Sequence, residues 1–427
     1  MKKRIPHRSR AVKCTLAILA TAGVAPVALP ATPTVRNDEI RAMVAEMLSD
    51  AQTRSSLLQS GSTAGHDGHF FLASPDGNFK MEISGQVQFR YNLVFRDQGP
   101  DSAGAPIDDF TPGFQTRRTK LGFKGHIYSP NLFYHIKGAF GRSGGAFDLE
   151  EAEVGYKFDN GLELKWGQFK LPFLREELVS SSRQLTVGRS LTNELFNQDR
   201  SQGVQVSYAA DAFRLFGAFS NGFNADNKEF NAKPADWAVT GRAEFLFAGS
   251  WKQFKDFTSK PGSEVGLMLG LAAHFERSPD TPSGPAIQDR ISWTLDASWE
   301  SDGWSLYGAF IGNHDSGGAA SGGSVDEYGW LVQGGLYLAD NVETFARFDM
   351  IIPDSDLVAD SAFSTVTFGA NYYIHGHSAK FTADVQLFLD DVVGTDSIAG
   401  SEKGIGFLDN GAHAGEYAVR LQFQLLF

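Results

Sequence analysis

The sequence has 427 residues, of which 46 are glycine, 35 phenylalanine and one cysteine. Its mean hydropathy of −0.22 and its 21% of charged residues exclude a bundle of transmembrane helices, which needs repeated apolar runs of about 20 residues. The many large apolar side chains argue against disorder, and the net charge of −12 excludes nucleic-acid binding as the default function.

Residues 1–31 are predicted to be a signal peptide. Six basic residues precede and flank the start of an apolar stretch at 14–29, and small residues place the cleavage near Ala28 or Ala31. The alternative is an N-terminal anchor helix. Cleavage would remove Cys14 and change the net charge from −12 to −18, so the exported chain could not depend on disulfides.

Segment 37–60 is predicted to be one helix, followed by a flexible linker at 61–69. Asn37 suits the N-cap, and an apolar stripe recurs at spacings of four and three residues, at Ile40, Val44, Met47, Ala51 and Leu58. The stripe fits a short coiled-coil seam or a helix docked on its own domain.

From residue 70 to 427 the hydrophobic period is two. Val419, Leu421 and Phe423 alternate with polar residues, and comparable runs of about 9 to 14 residues recur along the chain. Such runs exceed the usual globular strand of about 5–6 residues and match the length with which a tilted strand crosses a bilayer. We count sixteen strands, with an uncertainty of two, and predict an all-β transmembrane barrel of antiparallel strands preceded by the short helix.

The connections between the predicted strands alternate between long and short. Loops such as 170–201 and 390–415 alternate with turns such as 159–160 and 376–377, as an outer-membrane barrel with external loops and periplasmic turns requires. Two connections depart from this order: 142–146 is brief where a loop is expected, and 249–263 is long where a turn is expected. The terminal Phe427 completes an amphipathic strand, which is typical of this class of barrel.

Several short segments carry a resemblance to a known family: RRTKLGFKG at 117–125, WGQFK at 166–170, PF at 172–173, EEL at 176–178, RSL at 189–191, GVQV at 203–206 and ARFD at 346–349. With them the sequence resembles the phosphate-selective porin O/P family, and the predicted helix together with HFFL at 69–72 resembles its planctomycete-type members. It implies a trimeric barrel of sixteen strands whose third extracellular loop, here 170–201, folds inward and narrows the pore.

The chemistry of a porin is the electrostatics of its constriction. Alternation assigns basic side chains of the early strands to the lumen, and the inward loop adds charges of both signs. The candidate pore-lining residues are Lys80, Arg90, Arg118, Lys120, Lys124, Lys137, Arg175, Glu176, Glu177, Arg183, Arg189 and Arg347. One hypothesis is a basic wall that faces the carboxylates of the loop; the alternative is that these charges are paired neighbours around a non-selective pore.

The sequence therefore predicts an outer-membrane porin for passive diffusion of small hydrophilic solutes or ions, leaning towards anions such as phosphate. Its expected partners are outer-membrane lipid, the solutes and two further copies of the chain. We identify no catalytic residue, cofactor or metal ligand: His375 and His377 fit a solvated turn better than a metal site, and Asp354, Asp356 and Asp360 only weakly suggest calcium. The alternatives are a tether that uses helix 37–60 and an outer-membrane barrel enzyme.

Overall fold

The computed structural model describes residues 41–49, 63–96, 110–278, 289–316, 323–354, 362–391 and 414–427. The predicted signal peptide and most of the predicted helix 37–60 lie outside these residues. The chain divides into two compact units, Met1–Ser60 and Gly61–Phe427, and each is described by itself.

The described part of the first unit is helix α1, residues 41–49. Val44 and Met47 of the predicted seam are both exposed, as are the neighbouring Met43 and Leu48. Among the described residues, no helix combines the length and the apolar character that a membrane span requires.

The second unit is a closed antiparallel β-barrel, and two further short helices lie inside it. The strands are β1 Thr63–His66, β2 Phe70–Ala73, β3 Lys80–Phe95, β4 Phe110–His126, β5 Leu132–Phe140, β6 Phe147–Lys157, β7 Leu162–Lys170, β8 Arg200–Ala209, β9 Phe213–Ser220, β10 Trp237–Ala248, β11 Gly266–Arg277, β12 Asp289–Ser301, β13 Trp304–Ser316, β14 Val325–Ala339, β15 Val342–Ile352, β16 Phe363–His375, β17 Ala379–Phe388 and β18 Tyr417–Leu426. The helices are α2 Arg175–Leu178 and α3 Leu191–Phe196.

Sixteen described strands, β3 to β18, form the barrel. Each pairs with its neighbour in sequence, and β18 pairs with β3 from Tyr417–Phe95 to Leu426–Gln86, which closes the sheet. Phe427 extends this pairing, because its amide donates to the Gly85 carbonyl at 3.1 Å. A side chain at position 85 would collide with the Phe427 ring, so glycine allows the two strands to meet. The predicted all-β barrel of sixteen strands is confirmed.

The burial of the strands is inverted relative to a water-soluble protein. In β12, Ile291, Trp293 and Leu295 are exposed, whereas the intervening Ser292 and Thr294 are buried. Soluble monomers rarely expose contiguous apolar patches of this extent, whereas a lipid-facing barrel requires them. The alternation in the sequence therefore places apolar side chains outside and polar side chains inside.

The connections follow the predicted order of long and short. Short turns at one end join β4 to β5, β8 to β9, β12 to β13 and β16 to β17, and we call this the turn end. The sequence predicts a linker over 61–69, but strand β1 lies within this range. β1 pairs with β2, and β2 pairs with the start of β3. Prediction missed this hairpin because its two strands have only four residues each.

The long connection between β7 and β8, residues 171–199, runs inside the barrel and carries α2 and α3. Its apolar side chains form a core with the inner wall: Phe173, Leu191 and Phe196 pack with Ile311 and Ile351 of β13 and β15. We call residues 171–199 the inward loop. Because the inward loop packs against β11 to β18 and also contacts Arg242 of β10 and Arg90 of β3, that half of the lumen is filled, and the space on the opposite side remains open.

Candidate functional site

The open space is a cavity of about 760 Å³ between the inward loop and the wall formed by β4 to β10. Among the described residues, twelve basic side chains line it: Arg117, Arg118, Lys120, Lys137, Lys165, Lys170, Arg175, Arg183, Arg189, Arg200, Arg214 and Lys255. Seven acidic side chains line it as well: Glu150, Glu151, Glu153, Glu177, Glu194, Asp199 and Glu244. The cavity therefore has an excess of five basic groups, although the whole chain is acidic.

A β-bulge brings two adjacent arginines into this cavity. Gln88 of β3 pairs with Arg118 and the next residue, Phe89, pairs with Thr116, so Arg117 is the additional residue of β4. Strict alternation would direct Arg117 towards the lipid. The bulge interrupts the alternation, as bulges do, and Arg117 lines the cavity beside Arg118.

A second bulge, between β5 and β6, does the same for two glutamates. Lys137 pairs with Glu151 and Gly138 with Leu149, which leaves Glu150 as the additional residue. Glu150 forms an ion pair with Lys120 and approaches Lys137 at 3.6 Å. Glu150 therefore pairs with cations of two other strands of this wall.

Arg200 connects this wall to the inward loop. Its guanidinium lies 3.1 Å from Glu151 and 2.8 Å from Asp199, the last residue of the loop. Lys170 of β7 also holds the loop at this side, because its ammonium lies 2.8 Å from Glu177. Glu177 lies 3.1 Å from Arg189 as well, an ion pair within the loop.

The carboxyl groups of the inward loop have different proton affinities. Burial alone would raise the pKa of Glu177, but Arg189 and Lys170 outweigh burial and hold its pKa at about 2. For Glu194 and Asp199, burial outweighs the neighbouring arginines, so their pKa values are raised. Glu177 is therefore charged throughout the physiological range, and Glu194 and Asp199 gain protons first on acidification.

Seven of the twelve predicted pore residues line the cavity. They are Arg118, Lys120, Lys137, Arg175, Glu177, Arg183 and Arg189. Sequence reasoning missed Arg117 and Glu150, because it followed strict alternation through the two bulges. The signal was present as the doublets Arg117-Arg118 and Glu150-Glu151, since a regular strand would expose one charge of each doublet to lipid.

Three predicted pore residues do not line the cavity: Arg90 and Arg347 of the wall, which the inward loop covers, and Glu176, which is buried in the loop itself. Arg90 donates to the Val187 carbonyl of the loop at 3.0 Å and to Gln422. Arg347 donates to Thr186 Oγ1 at 2.8 Å and lies 3.7 Å from Glu176. Glu176 itself accepts from the Ser190 amide and hydroxyl, at 2.9 and 2.5 Å. These charges attach the loop to the wall.

The remaining two predicted residues lie near the turn end. Lys80 and Lys124 both approach Glu82, at 2.7 and 3.0 Å, and neither lines the cavity. They form a partly exposed ion cluster at the start of β3.

The hypothesis of a basic wall that faces an acidic loop does not describe this cavity. The inward loop contributes three basic groups, Arg175, Arg183 and Arg189, and three acidic groups, Glu177, Glu194 and Asp199. The wall contains Glu150, Glu151 and Glu153 among its basic groups. Both sides therefore carry groups of both signs, and the basic excess comes from the wall and from Lys255 of the β10–β11 connection.

The histidine turn is more structured than the sequence suggests. His375 is exposed, but the Nε2 atom of His377 lies 3.4 Å from Asp256 and its ring packs edge-on against Tyr373. In the ranges that the structure covers, no three His, Cys, Asp or Glu side chains come together as metal ligands. Asp354 accepts a hydrogen bond from the Asp326 amide at 2.7 Å, whereas Asp356 and Asp360 lie outside the described residues.

Residues 107–390 match the family described as phosphate-selective porin O and P. The fold is similar to that of the anion-selective porin from Comamonas acidovorans, with 16% identity, a TM-score of 0.53 and coverage of 81% of this chain and 99% of that porin. It is also similar to the outer-membrane channel DcaP of Acinetobacter baumannii, with 11% identity, a TM-score of 0.55 and coverage of 83% and 99%.

A third similar structure is the trimer form of OmpT from Vibrio cholerae, with 11% identity, a TM-score of 0.52 and coverage of 81% and 99%. At these identities the likeness concerns the fold. A comparison with curated proteins found no match.

Proposed function

We propose that the pore of this chain, which belongs to the phosphate-selective porin O and P family, favours anions. The chain is a porin of the bacterial outer membrane, through which small hydrophilic solutes diffuse passively. The family and the fold indicate a channel rather than an enzyme.

The observation that carries the proposal is the excess of basic groups in the cavity, twelve against seven. Fixed charges that line a narrow passage set its ion preference, because they raise the local concentration of ions of the opposite sign. A permeating ion responds mainly to charges within about a Debye length, ~8–10 Å at physiological salt. The charges that line the cavity therefore affect it more than the acidic net charge of the whole chain.

We propose a broad preference for small anions, phosphate included, rather than a site for phosphate alone. Most of the wall cations are engaged by carboxylates: Lys137 lies 3.5 Å from Glu151, Lys165 lies 3.0 Å from Glu153 and Arg200 lies 3.1 Å from Glu151. An anion that bound tightly would have to displace these carboxylates. A weakly interacting pathway permits faster passage, because conduction requires that ions leave as well as enter.

Reversal potentials in planar bilayers test this proposal. With a potassium chloride gradient across a single inserted channel, we expect a chloride-to-potassium permeability ratio above one. Phosphate should reduce the chloride current only at millimolar concentrations. A cation-selective channel would overturn the proposal, and block by micromolar phosphate would overturn its breadth.

We also propose that the porin is a homotrimer and that helix 37–60 contributes to its assembly. The described part of this helix exposes Val44 and Met47 of the apolar stripe in a single chain. Three parallel copies would bury this stripe as a coiled-coil seam. Cross-linking of the full chain and of a variant with Val44→Asp and Met47→Asp tests this: trimers that lose stability in the variant support it, and monomers in the unaltered protein refute it.

A further inference from the structure

The connection between β10 and β11 is long at the end of the barrel where the other connections are short, and it crosses that end. We call residues 249–263 the turn-end segment. Near its start, the Trp251 indole donates to the Asp211 carbonyl in the β8–β9 turn at 3.0 Å. Further along, the Gly262 amide donates to Asp302 Oδ1 in the β12–β13 turn at 2.6 Å.

The middle of the turn-end segment enters the lumen. Phe257 is almost fully buried and packs on Tyr307 of β13 with ring centroids 4.8 Å apart. Asp256 lies 3.4 Å from His377 in the β16–β17 turn. The segment is therefore fixed to three turns and to the inner wall, which a surface loop would not be.

The turn-end segment also contacts the inward loop. Arg175 of the loop donates to the Phe254 carbonyl at 2.9 Å, and its guanidinium lies 5.7 and 5.3 Å from the rings of Phe254 and Phe257. Arg183 of the loop lies 3.4 Å from Asp256. A continuous path of contacts thus runs through the lumen from the inward loop to the turn end.

The same segment forms part of the cavity boundary. Phe254 and Lys255 line the cavity, and so does Arg214 of β9, whose guanidinium lies 4.1 Å from the centre of the Trp251 ring. These side chains therefore lie on the side of the cavity that is nearest to the turn-end segment.

We propose that the turn-end segment is a second constriction at the periplasmic mouth, and that Lys255 is its selectivity residue for small anions. The segment reduces the width of the exit, while Lys255 and Arg214 supply positive charge there. The assignment of charge selectivity to Lys255 rests on the proposed anion preference, whereas the assignment of width to the segment does not.

Charge reversal at Lys255 tests the selectivity. Lys255→Glu changes the local charge by two units, and at about 10 Å in water this should lower the anion permeability and raise the cation permeability by about fourfold each. We therefore expect the anion-to-cation permeability ratio to fall about sixteenfold. Lys252→Glu is the matched control, because Lys252 is exposed on the same segment and does not line the cavity. An equal fall in both variants, or none in Lys255→Glu, would overturn the role of Lys255.

Shortening the segment tests the width. Replacement of residues 249–263 by an Asn-Gly turn should raise the single-channel conductance and admit larger neutral polyethylene glycols to the pore. Unchanged conductance and polymer exclusion would refute the second constriction, whatever the ion preference of the parent channel. If the shortened chain does not fold, Phe254→Ala and Trp251→Ala in the full chain provide the same readout of exclusion size.

Discussion

The two halves of the lumen have the same strand pattern but use their charges differently. In the filled half, Arg242 lies 2.7 Å from Asp296 and Arg420 lies 2.7 Å from Asp384, and all four side chains are buried. In the open half, Lys137 lies 3.5 Å from Glu151 and Lys165 lies 3.0 Å from Glu153, and their ammonium groups border the cavity.

This difference shows that a position on the lumen face does not by itself determine the function of a charged side chain. What matters is whether the inward loop covers that side chain. Where the inward loop packs on the wall, an ion pair is shielded from water, and each charge depends on its partner for compensation. Removal of one partner therefore leaves a buried, unpaired charge and destabilises the fold. Where the wall borders the cavity, water and permeating ions screen the charges, so their removal affects transport.

The largest expected effect is on stability in the filled half. Arg242 holds both carboxylate oxygens of Asp296, Glu244 and the Phe173 carbonyl of the inward loop. Arg242→Met would leave Asp296 buried without its partner, and we expect the free energy of unfolding to fall by about 3–5 kcal/mol. Urea unfolding of the purified porin in detergent measures it.

Lys137→Met is the corresponding change in the open half. Its ammonium is partly exposed, so we expect a loss within about 1 kcal/mol. Equal losses in the two variants would remove the distinction between the halves.

The next effect is on ion preference in the open half. Lys120 lines the cavity, whereas Lys380 is buried in the filled half and donates to the Gln184 carbonyl at 2.9 Å. Lys120→Gln removes one charge from the pathway, and at about 10 Å in water this should lower the anion permeability and raise the cation permeability by about twofold each, so the anion-to-cation permeability ratio should fall about fourfold. Lys380→Gln also removes one positive charge, but at a site outside the pathway.

Reversal potentials of both variants measure the difference. We expect Lys380→Gln to retain the parent ratio in the channels that insert. A larger shift in Lys380→Gln than in Lys120→Gln would contradict the view that the open half alone carries the current.

The smallest expected effect is that of pH. Burial raises the pKa values of Glu194 and Asp199, so these carboxyl groups gain protons first as the pH falls, while Glu177 with its pKa of about 2 keeps its charge. Loss of negative charge makes the cavity more basic, and the anion preference should rise between pH 7 and pH 5. Reversal potentials at the two pH values measure it.

Glu194→Gln is the control for the pH effect, because it should raise the anion preference at pH 7 and reduce the further rise at pH 5. An anion preference that falls on acidification would contradict the assigned directions.

Much of the fold is predictable from the sequence because a barrel strand is a local pattern. Alternation and the lengths of the connections locate all sixteen barrel strands, the short turn at 159–160 and the long connection at 170–201. That this connection folds inward is implied only by the resemblance to the porin family. The β1–β2 hairpin escapes this reasoning, since four residues are too few to establish a period.

The site is less predictable because it depends on register and on distant contacts. Arg117 and Glu150 reach the cavity only through bulges, which shift the alternation by one residue. Arg90 and Arg347 are withdrawn from it by hydrogen bonds to the inward loop, about 100 and 160 positions away in sequence. Local patterns indicate which face a residue occupies, but they do not indicate what covers that face.

The pairing of β18 with β3 has a consequence for how the porin is made. Closure joins residues as distant as Gln88 and Gln424, which are 336 positions apart. While β18 is absent, β3 presents an unpaired strand edge, which invites association with other chains. We therefore expect the nascent porin to depend on chaperones and an insertion machinery that keep β3 apart from other strands until β18 has been synthesised and exported.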